Sequence, residues 1–165
     1  MKTKKIILMS LLLSVALVIS LLEFYIPIPV PNVRLGLSNV VIINSLLIFG
    51  FKDSMYISLL KSLLLVIILA NPISFLYNFI ASLFSITIMF LLQKYFNRIF
   101  SLVGISVAGS VIYIFIQIVI SVILLNTYLL FTFVPLLCSI GVFTGIIVGV
   151  VSTYMNRILR GIYVK

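Results

Sequence analysis

Lys61 sits deep inside an apolar run, with Ser54 and Ser58 before it at helical spacing. A cation at mid-bilayer costs ~2.5–3.5 kcal/mol on insertion scales unless it faces a partner or a wet cavity. The polar stripe therefore reads as a ligand contact or a cavity-facing charge. The alternative is a lysine whose alkyl stem lies in the apolar layer while its head reaches the interface. Glu23 and Arg34 flank the proline-rich stretch "IPIPVP". They read as a pair across that loop, as contacts to a bound molecule, or as solvated rim charges worth ~0–1 kcal/mol. Ser106, Ser110, Tyr113, Gln117 and Ser121 recur on one helical face, and Gln117, with both donor and acceptor capacity, is the member expected to touch a ligand. Asn39, Tyr77 and Asn78 add polar groups toward the same end, whereas Asn71 before Pro72 reads as a turn.

What is missing prunes the chemistry. The chain has no histidine, so imidazole bases and histidine metal ligands are excluded. A lone cysteine, Cys138, permits neither an internal disulfide nor a cysteine zinc site. Glu23 and Asp53 are the only acids, which argues against paired-carboxylate catalysis and against a multi-carboxylate Mg²⁺ site. No phosphate-binding glycine loop followed by Lys and Ser/Thr is present, so ATP hydrolysis would have to come from elsewhere. The expectation is a non-enzyme without metal or cofactor.

The elements that must position these residues are helices in lipid. Of 165 residues 64% are hydrophobic and 8% charged, with mean hydropathy +1.46; soluble domains are about 25% charged. A spanning helix needs ~20 apolar residues. Six segments are predicted, over residues 6–22, 37–51, 55–69, 73–92, 101–125 and 131–155, forming one all-α, polytopic membrane domain. With the N-terminus cytoplasmic, the inner side carries Lys2, Lys4, Lys5, Lys52, Lys94, Arg98, Arg157, Arg160 and Lys165, and the outer side only Arg34. That asymmetry fits the positive-inside rule with both termini in the cytoplasm, and it accounts for the net charge of +9 without invoking nucleic acid. The competing reading of the first segment is a cleaved leader, which would leave five spans. Gly141, Gly145 and Gly149 share a stripe expected to pack closely on another helix, and Ser10 and Ser14 form a small flat patch that could dock a partner helix.

The proline stretch is the least membrane-like part of the chain. Proline favours an extended backbone with fewer donors to satisfy, and Gly36 frees the turn into the second helix. The segment reads as more than a connector, since it carries the one cation of the outer side, Arg34.

"IPIPVPNVRLGLSNVV", "LLIFGFKD", "NPISFLYNF" and "SLVGISVAGSV", in this order, resemble the bacterial membrane proteins known as heptaprenyl diphosphate synthase component I, or the Gx transporter family. That family is similar to the S components of energy-coupling-factor (ECF) transporters. The resemblance implies a six-helix bundle in the cell membrane that binds a vitamin-like molecule or a quinone or isoprenoid precursor at its outer face. It also implies work with a transmembrane coupling protein and ATPase subunits. Such proteins often carry a small-residue docking patch on the first helix, where Ser10 and Ser14 stand here. In the fifth helix the family pattern "AHNxGQ" reads "IYIFIQ", so that Gln117 is kept while Tyr113 replaces the histidine and Ile114 the asparagine. From the residues themselves, the expected substrate contacts are Glu23, Arg34, Asn39, Lys61, Tyr77, Asn78 and Gln117. The other reading is a non-catalytic accessory subunit of heptaprenyl diphosphate or quinone synthesis; prenyl synthesis itself needs aspartate-rich Mg²⁺ motifs that this chain lacks. An autonomous channel is disfavoured, because no charged pore rings appear.

Overall fold

The computed structural model describes residues 2–28, 33–96 and 99–163. Six α-helices follow one another: α1 (Lys2–Phe24), α2 (Asn39–Phe49), α3 (Phe51–Leu69), α4 (Ile73–Tyr95), α5 (Leu102–Leu125) and α6 (Val134–Tyr163). A 3-10 turn, Tyr128–Phe133, leads into α6. Four helical stretches are long and apolar enough to cross a bilayer: Thr3–Phe24, Ile73–Tyr95, Leu102–Leu125 and Tyr128–Leu159. The proline positions 29 and 31 lie outside the described residues, as do Arg98 and Lys165.

The two helices that fall short of that criterion differ in kind. α3 has the length, at 19 residues, but contains Lys52, Asp53 and Lys61. α2 has 11 residues, ~16 Å at 1.5 Å per residue, against a hydrocarbon layer of ~30 Å. The sequence pattern put a longer segment here, over 37–51. The structure shortens it because residues 33–36 run irregularly into the bundle before the helix begins. At the other end the expected loop "GFKD" is a break of one residue. Gly50 takes φ +90°, and Phe51 already belongs to α3.

α2 is nevertheless the hub. Asn39 through Leu46 are all buried, and the helix touches each of the other five. A helix apolar around its whole circumference belongs in a core, and mean burial rather than amphipathicity places it there. The outer helices expose Ile6, Leu22, Ile67, Ile123, Phe143 and Ile158. Buried serines, by contrast, tie helices together: Ser85 Oγ donates to Gly109 O at 2.8 Å and Ser45 Oγ to Ser54 Oγ at 2.9 Å. At one end of the bundle Lys5 pairs with Asp53 at 2.7 Å, fixing the start of α1 to the start of α3.

The α5–α6 seam depends on missing side chains. A Cβ on Gly145 would lie 2.6 Å from Val107 Cα, and one on Gly149 would lie 2.6 Å from Val103 Cα. Backbone cannot yield as a side chain can, so the two helices approach this closely only because both positions are glycine. Gly145→Ala should therefore lower stability by about 1–3 kcal/mol, read as a lower midpoint of thermal unfolding in detergent. Gly161→Ala, where nothing lies within 4 Å, should leave the midpoint unchanged.

Candidate functional site

The site grows from the irregular segment that precedes α2. Val33, Arg34, Gly36 and Ser38 are buried, so their backbone groups need partners that water would otherwise supply. α1 supplies two. Its inward stripe runs Leu8, Leu12, Ala16, Ser20, Glu23, all buried. The Glu23 carboxylate at the end of this stripe accepts from Ser38 N at 2.9 Å and from Gly36 N at 3.3 Å. An anion over the free N–H groups of a helix start is favourable on both hydrogen-bond and dipole grounds. α5 supplies a third partner: Arg34 N donates to Gln117 Oε1 at 2.7 Å. Thr144 Oγ1 on α6 donates to Leu35 O at 3.3 Å.

Gly36 is required here for two reasons. Its φ is +81°, and a Cβ would meet the Tyr113 ring at 2.9 Å and Asn39 Nδ2 at 3.0 Å. The ring of Tyr113 thus forms a wall against which the backbone lies directly. Tyr113 in turn donates its hydroxyl to Asn78 Oδ1 at 2.9 Å, joining α5 to α4.

Two cations complete the cluster. Lys61 is 0% exposed and its Nζ donates to Ser38 Oγ at 3.1 Å. The interfacial reading of this lysine is thereby overturned: it points inward, about 15 Å along α3 from the helix start. Arg34 folds over the end of α1, with Nη1 donating to Ser20 O at 3.4 Å and its guanidinium 5.9 Å from the Phe24 ring centroid. Glu23 lies within electrostatic range of both cations. Among the described residues, however, it makes no ion pair within 4 Å; backbone amides hold it, not Arg34.

Several buried polar atoms facing this region have no partner. They are Arg34 Nη2, Asn39 Nδ2 and Oδ1, and Gln117 Nε2; Asn44 Oδ1, Asn156 Oδ1 and the hydroxyls of Ser58, Ser82, Ser106 and Ser110 are likewise unpartnered along the helices. Folded proteins satisfy the great majority of such groups, so four orphaned atoms on three side chains beside one backbone segment set it apart. The arrangement offers fixed donors, two cations and an aromatic wall. It offers no nucleophile–base pair, and among the described residues no group of three metal-ligating side chains.

Glu23, Arg34, Asn39, Lys61, Asn78 and Gln117 thus come together from five helices and the segment between α1 and α2. Tyr77 is buried too, but it packs with Val33, Ala81 and Tyr113 in an apolar cluster. Ser10 and Ser14 lie apart, exposed on the outside of α1, with Ser14 Oγ bonded to Ser10 O at 3.0 Å. Sequence reasoning missed Ser38, the residue that bridges Lys61 and Glu23. A small polar residue just before an apolar run is a helix-start signal, and "LSN" carries it; the hydroxyl, however, makes no cap bond and serves Lys61 instead. Tyr113 was legible as part of a polar stripe but not as the neighbour of Gly36.

Among known proteins, the family model described as heptaprenyl diphosphate synthase component I matches residues 12–155. No curated protein and no solved structure matches.

The charge cluster should behave as one unit. Glu23→Gln leaves two buried cations without their counter-charge, and Lys61→Met leaves Glu23 and Ser38 short of theirs; each should cost about 1–3 kcal/mol. The double variant should cost clearly less than the sum, as contacting residues do. Strict additivity in chemical unfolding would show that the two charges do not share a site.

Proposed function

The chain belongs to the heptaprenyl diphosphate synthase component I family, and we propose that it is the substrate-binding membrane subunit of an ECF-type uptake transporter. Its ligand in this reading is a small vitamin-like molecule or a quinone or isoprenoid precursor. The observation that carries the proposal is the cluster around residues 33–38, where buried donors of Arg34, Asn39 on α2 and Gln117 on α5 are left unpartnered beside Glu23 and Lys61. Binding sites in membrane carriers recur where a helix is broken and its end faces the interior, and short α2 provides such a break.

The protein in this reading is a multi-pass protein of the bacterial cell membrane with both termini cytoplasmic. Lys4, Lys5, Lys52, Lys94 and Arg157 then face the cytoplasm, as the positive-inside rule requires. The chain performs no catalysis of its own. Energy for uptake comes from ATPase subunits through a transmembrane coupling protein. The exposed Ser10–Ser14 patch borders a shallow cleft lined by Ile6, Met9, Leu13, Ile57 and Leu60, which suits close approach of a coupling helix.

The family's description favours a second reading, a non-catalytic accessory subunit of prenyl diphosphate synthesis. Of the two acids, Asp53 is paired with Lys5 and Glu23 with backbone amides, so neither is free to organise Mg²⁺ on a diphosphate. Affinity purification from native membranes separates the readings. Recovery of ATPase and coupling subunits is expected, and recovery of a soluble prenyltransferase alone would overturn the transporter assignment. Ser10→Trp should cut recovery of the coupling subunit at least several-fold while leaving thermal stability of the isolated protein unchanged.

A further inference from the structure

We infer that the molecule taken up by the cluster around residues 33–38 is an anion, bound through a carboxylate or phosphate group by Arg34 and Lys61. This rests on the reading of that cluster as a ligand site and names the chemistry of its occupant.

The argument is one of charge balance. The buried cluster holds Arg34 and Lys61 against the single carboxylate of Glu23. α1, α2, α3, α4 and α5 pack around it, and they contribute no other acid to it, because the chain's only other one, Asp53, is bonded to Lys5 at the far end of α3. A buried charge without a counter-charge is expensive, and no further carboxylate is at hand; the Ser20 carbonyl near the end of α1 and the Phe24 ring offset Arg34 only in part. The unpartnered atoms point the same way. Three of the four beside the segment, Arg34 Nη2, Gln117 Nε2 and Asn39 Nδ2, are donors on buried side chains, and Asn39 Oδ1 is the one acceptor among them. Arg34 has one arm anchored on Ser20 O and the other free, the geometry in which a guanidinium presents a fork edge to an oxyanion. Glu23 is unsuited to receive a ligand cation, because Lys61 and Arg34 already lie in its electrostatic range and would repel one. Its role is to hold the segment and to offset one of the two positive charges.

That role gives a test with a sign. Purified protein in zwitterionic nanodiscs is titrated with inorganic phosphate, acetate, choline and glycerol, and the unfolding midpoint is followed. Phosphate or acetate should raise the midpoint, and choline and glycerol should not. Lys61→Met should abolish the response, and Arg34→Lys, which keeps the charge and loses the fork, should weaken it several-fold. Glu23→Gln should strengthen anion affinity about tenfold, since it raises the cluster's net charge; a purely structural carboxylate would not move affinity in that direction. A parallel arm replaces part of the lipid with phosphatidylglycerol. A midpoint rise seen there alone, and lost in Lys61→Met, assigns the anion to a lipid headgroup rather than a free solute. Absence of any anion response in both arms, or an equal response in Lys61→Met, overturns the inference. Failure here with ATPase subunits still copurifying would leave the transporter reading standing with a neutral ligand. An anion response without those partners would refute transport and keep the site.

Discussion

The Glu23 carboxylate resting on the amides of Gly36 and Ser38 is the interaction on which the arrangement of this bundle depends. An irregular backbone segment inside an apolar assembly is costly, because each unpaired N–H or C=O loses the water it would have had. Glu23 relieves two of these groups at once and places negative charge at the start of α2, where the helix dipole favours it. With that segment settled in the interior, α2 can begin deep in the bundle and remain short. A short α2 can in turn be enclosed by all five other helices.

Enclosure then imposes its own demands. The carboxylate needs counter-charge, and Lys61 on α3 and Arg34 in the segment supply it from beyond ion-pair distance. The backbone of residues 34–36 needs partners from the far side, and Gln117 and Thr144 supply them. Gly36 must lack a side chain because Tyr113 lies against it, and Tyr113 is held there by Asn78. The site is therefore not a set of side chains added to a finished scaffold. The same hydrogen bonds that allow the scaffold to close create a polar interior in which Arg34 Nη2, Asn39 Nδ2 and Gln117 Nε2 are left over.

The α5–α6 seam works on a different principle. Gly145 and Gly149 bring backbones together by removing atoms rather than by adding bonds, which suits a surrounding medium as apolar as the side chains themselves. The rigid pair gives Tyr113 and Gln117 a fixed platform. α1 is the contrasting element, with most of its surface exposed and its main contacts made with α2 and α3. Its inner stripe ends in the residue that anchors the site, while its outer face carries Ser10 and Ser14. One helix thus joins the proposed ligand site to the proposed docking surface.

The helices and their order were legible from the sequence because apolar length and helical periodicity are local properties. So was the polar stripe of α5, as well as the special status of Lys61, since a cation in an apolar run is visible without coordinates. Gly141, Gly145 and Gly149 were readable as a packing stripe for the same reason. Tertiary structure alone decided that Lys61 turns inward, that Glu23 bonds to backbone rather than to Arg34, and that Ser38 links the two. It also decided that Gly50 suffices as the break between α2 and α3 and that α2 starts only at Asn39. Each of these is a choice among partners distant in the chain, settled by where buried backbone groups most need hydrogen bonds. A sequence displays the groups that have such needs; only the packed fold shows which of them are met and which are left open.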